Sequence, residues 1–432
     1  MKRKLLIFMT FVAVLTIRCF AYSDTAVFLN KNTAPQFSEE WSIFAVNRNN
    51  YTDSIFNIKY YNSVIEMLEK CGGVLSERKY TEYARTALAL TSIGANPENI
   101  CGYNLIEKLD NFESVTKQGI NGAIFALIAA DSHSYRLNSR EKYIEFIVSR
   151  ALPDGGFAMS GDTVESDITA MAICALSKYR DDEKINGIIS SAFEKLMSMK
   201  NTNGTFSANG AENAESTAQV ICALASLGMD VKKDYADIYN ALMSFKNKDG
   251  SFSHIHGGNA NIMATEQALC AVSAAEKNAS VYDMNDIVFP LFSDIYGDEN
   301  RESIEKLYKA GIVNGSGNGN FTPHGSLTRA ELAAMTVRAV GAEETGGCAF
   351  ADVSKSDWFW KSVSTASAFG IVKGIDKNHF APRRNVTRAE AEVMIARAFR
   401  KNISEDTILS DGTKKYYITR SETARLIAEN VK

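Results

Sequence analysis

Three arginines near the end of the chain stand in one repeated phrase, Thr-Arg-Ala-Glu or Thr-Arg-Ser-Glu. Thr followed three residues later by Glu forms a capping box, in which both side chains satisfy free amides of a helix's first turn. An arginine there opposes the helix dipole by roughly 0.3–1 kcal/mol, so its recurrence predicts an anion site. The alternative is three ordinary helix starts with solvated arginines. The candidate anion ligands are Arg329, Arg388 and Arg420.

A second group of polar residues recurs in the middle of the chain, at the starts of three similar apolar runs that are 48 residues apart. Carboxylates, amides and hydroxyls on one rim of a cavity would suit a polar or cationic ligand or a glycan. Paired carboxylates can also perform acid–base chemistry, which makes Asp167 and Glu215 the alternative catalytic residues. The predicted cavity-lining residues are Asp167, Thr169, Glu215, Thr217, Gln219, Thr265, Glu266 and Gln267.

Cysteines and histidines make a weaker case for a metal site. Cys174, Cys222 and Cys270 lie inside the apolar runs, where a buried small hydrophobe is the simpler interpretation. His254 and His256 alternate in a loop and are the candidate metal ligands, although a solvated loop is again the simpler interpretation. We therefore predict neither a resident metal nor a cofactor.

The elements that must position these residues are helices joined by glycine turns. Each apolar run follows an Asp-Gly or Asn-Gly turn that ends in Phe157, Phe206 or Phe252. The glycine supplies a positive φ, and the phenylalanine can fill the gap between neighbouring helices. This pattern predicts a helical hairpin of nearly fifty residues, used about five times. Such hairpins bury their apolar faces against one another and form a solenoid or a closed ring.

Gly-Gly-Phe157, a short acidic stretch and Thr169-Ala-x-x-x-x-Ala-Leu176 together resemble the repeat of the prenyltransferase and squalene-cyclase family. The resemblance implies an α/α toroid over residues 60–287 whose repeated helices line a central cavity. The family's terpene cyclases use a run of aspartates, where this chain has Glu165-Ser-Asp167-Ile. Its protein prenyltransferases hold zinc with Asp, Cys and His, and only Asp167 is retained at the corresponding positions. Catalysis stays open, with a binding module favoured.

Residues 288–432 contain a different repeat, of 59 residues. Gly311, Phe321 and Thr328 recur as Gly370, Phe380 and Thr387, and an aromatic-acid phrase precedes each copy. This constellation resembles the S-layer homology domain, in which three units form a helical bundle with grooves for anionic secondary cell-wall polysaccharide. The third unit here lacks its opening and first helix, so at most two grooves are expected. The resemblance assigns polymer binding to Arg329, Arg388, Arg420, Trp358, Gly315 and Gly374.

Length and composition bound the remaining possibilities. The 432 residues are 45% hydrophobic and 23% charged, as in ordinary globular proteins, and the net charge of −4 gives no reason to expect a nucleic-acid partner. Basic residues 2–4, an apolar run and Cys19-Phe-Ala21 predict a signal peptide, with no membrane-spanning segment after its cleavage. The predicted organisation is all-α: signal peptide (1–21), lead-in (22–59), toroid (60–287), S-layer homology units (288–341 and 346–400) and a partial third unit (401–432).

These observations predict an exported bacterial surface protein, held on the cell wall through its S-layer homology units and displaying the toroid. The predicted partners are an anionic secondary cell-wall polysaccharide and an unidentified ligand in the toroid. One alternative is a wall-tethered enzyme that cyclises terpenes or cleaves polysaccharide. Another is a structural component of the surface layer.

Overall fold

The computed structural model describes residues 23–49, 51, 53–347 and 350–431, so the predicted signal peptide lies outside the described residues. Two separate hydrophobic cores divide the chain into a toroid and a C-terminal bundle. The toroid helices are α1 (Asp24–Asn32), α2 (Glu40–Arg48), α3 (Ser54–Lys70), α4 (Thr81–Ser92), α5 (Leu105–Lys108), α6 (Phe112–Thr116), α7 (Gly119–Asp131), α8 (Arg140–Ser149), α9 (Ser166–Leu176), α10 (Glu183–Ser198), α11 (Ala214–Ser226), α12 (Val231–Asp234), α13 (Ala236–Met243) and α14 (Ile262–Lys277).

Within the described part of the chain, six inner helices form a closed ring in the order α2, α4, α7, α9, α11 and α14, and α14 packs back on α2. Helices α1, α5, α6, α8, α10 and α13 pack against this ring. The expectation of about five hairpins omitted α2, which comes from the predicted lead-in. The omission has a physical reason: residues 22–59 lack the Gly-Phe turn and the Thr-Ala phrase, and only the tertiary contacts of α2 place it in the ring.

The three glycine turns hold the inner helices through their phenylalanines. Phe157, Phe206 and Phe252 are each at most 1% exposed. At Gly204, φ is +85°, and a Cβ atom would lie 2.6 Å from the carbonyl oxygen of Asp237 on α13, so no larger residue fits. Two short antiparallel hairpins accompany the turns: β1 (Phe206–Ala208) with β2 (Ala211–Asn213), and β3 (Phe252–Ser253) with β4 (Ala260–Asn261).

The segment after α14 crosses the far end of the ring and closes it. Arg48 donates from Nε to the carbonyl of Val281 at 2.7 Å and from Nη2 to that of Asp283 at 2.6 Å. Between these two anchors, Tyr282 enters the ring and stacks on Phe44 with centroids 5.5 Å apart. The inner helices therefore enclose a cavity that is floored at one end.

The C-terminal bundle has three units arranged around a pseudo-threefold axis. Each Thr-Arg phrase pairs with another unit through the isolated bridges Ser326–Thr419, Thr328–Asn385 and Thr387–Tyr417. The short third unit completes the threefold arrangement, because its helix α20 packs on α15 of the first unit and α18 of the second. The bundle helices are α15 (Arg301–Lys309), α16 (Arg329–Ala339), α17 (Trp360–Ala368), α18 (Arg388–Ala398), α19 (Glu405–Ser410) and α20 (Arg420–Ala428). The bundle also has 3-10 turns at Ser293–Ile295 and Gly412–Lys414, and the toroid has one at Ser177–Tyr179.

The toroid and the bundle meet through tyrosines. Tyr61 donates to the carbonyl of Ser293 and Tyr296 to that of Ile93, both at 2.9 Å, and the two rings lie 4.4 Å apart. Nowhere in the described ranges is a helix both long enough and apolar enough to cross a membrane.

Candidate functional site

The toroid encloses a cavity of about 380 Å³, lined mainly by the N-terminal halves of the inner helices. Trp41 and Phe125 form part of its wall, with ring centroids 5.3 Å apart. Tyr282 reaches it from the floor. The toroid cavity is lined by Trp41, Asn121, Phe125, Met159, Glu165, Asp167, Ile168, Met171, Gln219, Met263, Glu266, Gln267, Cys270 and Tyr282.

Polar groups in the toroid cavity are mostly hydrogen-bond acceptors. Burial raises the pKa of Glu266 to about 7, although Ser42 donates a hydrogen bond to this carboxyl. Gln219 Nε2 donates to Gln267 Oε1 at 3.0 Å, while the buried Gln219 Oε1 has no hydrogen-bond partner. Of the predicted cavity-lining residues, Asp167, Gln219, Glu266 and Gln267 line this cavity.

The predicted threonines do not line the cavity. Thr169, Thr217 and Thr265 are fully buried, and their hydroxyls accept hydrogen bonds from the turn phenylalanine amides at 2.9, 3.1 and 2.9 Å. Thr217 and Gln219 are two positions apart, which turns their side chains roughly 200° apart on a helix. The threonines therefore tie each inner helix to its glycine turn and leave the cavity to the glutamines.

Glu215 also lies outside the cavity lining. Its Oε2 atom is 2.8 Å from Nδ1 of His254. Asp167 lines the cavity and Glu215 does not, so the structure does not assemble the alternative catalytic pair on one wall.

The candidate metal ligands do not converge either. His256 stacks on Phe245 at 3.8 Å, and its Nε2 is 3.9 Å from Glu212 Oε2 rather than beside the His254–Glu215 pair. Cys174, Cys222 and Cys270 are buried, and burial raises the pKa of the Cys174 thiol to about 12. Among the described residues, no group of three His, Cys, Asp or Glu side chains is placed to hold a metal ion.

The bundle contains an open groove, which we call groove 1, of about 370 Å³. It lies between the Gly315 turn and α16 of the first unit, with Trp358 of the second unit and Arg420 of the third. Trp358 is 65% exposed. The structure thus brings together three predicted polymer-binding residues and adds Arg338, Glu331 and Met335.

Arg329 does not occupy an open groove. The residue is only 6% exposed, and its guanidinium donates at 2.9 Å from Nε to the Phe380 carbonyl and from Nη2 to the Lys373 carbonyl. It also lies 4.8 Å above the Phe380 ring. This burial contradicts the predicted polymer contact: Arg329 joins the first unit to the turn of the second.

Arg420 repeats this contact between the third unit and the first. It donates to the carbonyls of Phe321 and Asn314 at 2.9 and 2.8 Å, and lies 4.7 Å from the Phe321 ring. Unlike Arg329, it is partly exposed and lines groove 1. One residue can therefore hold the bundle together and still face a ligand.

Arg388 makes no equivalent contact among the described residues, because the third unit has Gly412 at the position of Phe321 and Phe380. Its Nε atom is 2.7 Å from Glu392 Oε1, and Nη1 is 3.8 Å from Glu422 Oε1. Arg388 is therefore paired with carboxylates of its own chain, whereas the sequence predicted that it contacts a polymer.

The counterpart of groove 1 in the second unit, which we call groove 2, holds an acidic side chain of the same chain. Groove 2 lies between the Gly374 turn and α18. Glu405 on α19 enters it, with Oε1 2.8 Å from Arg397 Nε and Oε2 3.4 Å from Lys373 Nζ. Hydrogen bonding from Arg397 lowers the pKa of Glu405 to about 2, so this carboxylate is ionised.

Both glycines beside the grooves are sterically required. A Cβ atom on Gly315 would lie 2.6 Å from the Phe292 ring, and one on Gly374 would lie 2.3 Å from the Asp376 carbonyl oxygen. Close packing therefore explains why glycine stands at both positions beside the grooves.

Arg338 was not identified as a site residue from the sequence, although Arg338 and Arg397 occupy the same position in the two copies and are 59 residues apart.

Two family models match this chain, one over the toroid and one over the bundle. A family model described as the prenyltransferase alpha-alpha toroid domain matches residues 60–232 and 220–294, which together are more than half of the chain. The S-layer homology domain model matches residues 291–333 and 349–392. The shortened third unit lies beyond these matches.

Curated relatives include surface-layer proteins and an amylopullulanase. The Surface-layer 125 kDa protein of Lysinibacillus sphaericus is 32% identical over 136 residues, covering 32% of this chain and 11% of its own. The Surface layer protein of Brevibacillus choshinensis is 41% identical over 102 residues (22% and 9%). The Amylopullulanase of Thermoanaerobacterium thermosulfurigenes is 43% identical over 112 residues (24% and 6%). The chain thus spans about a tenth of these relatives.

A solved chain of Candida albicans protein geranylgeranyltransferase-I complexed with GGPP aligns over 58% of this chain and 90% of its own, at 14% identity and a TM-score of 0.41. The fold assignment rests on the family model and on the helical ring itself. The chain belongs to the prenyltransferase alpha-alpha toroid domain family, and its S-layer homology domains and surface-layer relatives make it an extracellular surface protein anchored to the cell wall.

Proposed function

We propose that the bundle binds an anionic secondary cell-wall polysaccharide in groove 1, and that the toroid is displayed as a non-catalytic binding module. Groove 1 is the observation that carries the proposal, because it combines an exposed Trp358 ring with the guanidinium groups of Arg338 and Arg420. An aromatic face suits the apolar face of a sugar ring, and guanidinium groups suit its acidic substituents.

Groove 1 is the better of the two grooves for an external anion. No salt bridge to Arg338 is found among the described residues, whereas its counterpart Arg397 is paired with Glu405. A polysaccharide entering groove 2 would have to displace Glu405 from Arg397 and Lys373. We infer one principal polymer site per chain.

Relatives with dissimilar names support an anchoring role for the bundle. A Surface layer protein, a Middle cell wall protein and an Amylopullulanase all match this chain over segments of 102 to 112 residues. A module shared by proteins with different names is typical of an anchor, because anchoring does not depend on the domain that the anchor attaches to the wall.

For the toroid, a binding role fits the cavity better than acid–base catalysis. Asp167 lines the cavity, but Glu215, its proposed partner, faces His254 instead. Glu266 is buried and hydrogen-bonded to Ser42, a residue of the ring's own wall.

Co-sedimentation of the full-length secreted chain with purified bacterial cell walls tests the anchoring proposal. We expect Arg338→Ala combined with Trp358→Ala to weaken retention about tenfold, which corresponds to about 1.4 kcal/mol. Arg136→Ala, at an exposed position on the toroid, is the matched control and should sediment like the unaltered protein. The proposal fails if the double variant sediments normally, or if walls stripped of secondary polysaccharide retain the protein equally well.

A further inference from the structure

We propose that the toroid cavity binds an organic cation with an apolar body and a primary ammonium head group. This inference rests on the proposed role of the toroid as a binding module and specifies the class of ligand. It concerns a different site from the wall-binding groove.

The apolar body is indicated by the size and walls of the cavity. A volume of about 380 Å³ lies within the range of roughly 300–1,000 Å³ typical of small-molecule pockets. The rings of Trp41 and Phe125 lie 5.3 Å apart at an angle of 60°, and three methionines add flexible apolar side chains to the wall. Aromatic faces attract a cation through their quadrupole, and most strongly where water is excluded. Methionine adapts to the shape of an apolar ligand.

The ammonium head is indicated by the hydrogen-bond acceptors. Gln219 is 7% exposed and lines the cavity, and its contact with Gln267 uses the amide NH₂, so Oε1 is left without a partner. A buried acceptor with no donor costs about 1–3 kcal/mol, which a donating ligand would recover. The carboxylates of Asp167 and Glu266 line the same space, and no Lys, Arg or His is among its described lining residues.

The same charges disfavour the other ligand classes. An anionic head, such as a diphosphate, would meet carboxylates without a counter-cation in the lining. A neutral apolar ligand would leave Gln219 Oε1 unsatisfied. A quaternary ammonium would gain the aromatic contacts but could not donate to Gln219. A primary ammonium satisfies both requirements.

Binding of a cation should depend on the protonation of Glu266. Burial raises the pKa of this carboxyl most, and the charges of Glu39 and Glu40 at the start of α2 raise it further. Arg85 neutralises part of the Glu40 charge, and Cys270 lies one turn along the same helix. With the Glu266 pKa at about 7, raising the pH from 6 to 8 ionises the carboxyl. A bound cation is therefore expected to be held more tightly at pH 8 than at pH 6.

Three probes with one hydrocarbon body test the inference by calorimetry on the full-length secreted chain: geranylamine, geraniol and geranyl diphosphate. Geranylamine should bind at least about tenfold more tightly than the other two at pH 8, and about threefold less tightly at pH 6. Glu266→Gln should weaken geranylamine binding about tenfold and remove its pH dependence. Glu276→Gln is the matched control, because Glu276 is on the same helix, half-exposed and 3.7 Å from Lys232.

The inference is overturned if geraniol or geranyl diphosphate binds as tightly as geranylamine, or if geranylamine does not bind. Folding of each variant is checked by its thermal transition, and wall co-sedimentation is measured on the same preparations. If the protein sediments with walls but does not discriminate in favour of the amine, only this inference fails. If it discriminates but does not sediment, the anchoring proposal fails and the cavity assignment stands.

Discussion

In groove 2, Arg397 Nε lies 2.8 Å from Oε1 of Glu405, an acidic side chain of the third unit. In groove 1, the corresponding position beside Arg338 is open. The two grooves are built from the same repeat, and one difference between them is an internal anion. The shortened third unit therefore closes the bundle and also fills groove 2.

Removing this internal anion should expose a second polymer site. We expect Glu405→Gln to increase the amount of wall polysaccharide bound at saturation, because Lys373 and Arg397 lose their carboxylate partner. Titration calorimetry with solubilised polysaccharide measures the stoichiometry. Glu429→Gln, which breaks an exposed pair with Arg425, is the control. An unchanged stoichiometry would show that groove 2 is closed for another reason.

Arg329→Ala should destabilise the bundle. The substitution leaves the carbonyls of Phe380 and Lys373 without their donor and removes a buried cation above a ring, so we expect a loss of about 3 kcal/mol in the free energy of unfolding. Denaturant unfolding measures it. Arg338→Ala, at an exposed position, should cost less than about 0.5 kcal/mol. If Arg329→Ala unfolds normally but loses wall binding, Arg329 contacts the polymer directly after all.

Thr217→Val tests whether the repeated threonines are structural. Valine has a similar shape but cannot accept the hydrogen bond from the Phe206 amide, so we expect a loss of about 1–3 kcal/mol in unfolding free energy. Thr217→Ser keeps the hydroxyl and should recover most of this stability. Since Thr217 does not line the cavity, neither variant should change geranylamine affinity by more than about twofold. A specific loss of affinity in the valine variant would return Thr217 to the cavity wall.

The stability of the toroid should fall as Glu266 ionises. Its folded pKa of about 7 lies above the ordinary value of 4.5, so its contribution to stability is fully present below pH 4.5 and is lost as the pH rises through 7. In Glu266→Gln this loss is absent, and we expect the variant to be more stable than the unaltered protein at pH 8 by on the order of 2–3 kcal/mol. Unfolding at pH 5 and pH 8 measures the difference.

Features encoded within one turn of helix were predictable from the sequence. The capping boxes at Thr328, Thr387 and Thr419 all form, because Thr and Glu lie three residues apart in the same segment. Gln219 and Gln267 are 48 residues apart in the repeat, and both lie on the cavity wall.

What could not be predicted depends on partners far along the chain. The role of Arg329 is decided by the Phe380 carbonyl, 51 residues away. Glu405 is on a short polar helix that repeats no earlier pattern, and α2 carries no repeat phrase. The threonines were within reach of prediction: Thr217 and Gln219 are two residues apart, so they cannot face the same side of a helix.

The contact between α14 and α2 has a consequence for how this domain can evolve. An open solenoid tolerates the gain or loss of a repeat, because each repeat contacts only its neighbours. In this ring, the last inner helix must meet the first, so duplicating or deleting a hairpin would separate them. Variation is therefore directed to the side chains that face the centre, where new specificities can arise while the number of hairpins stays constant.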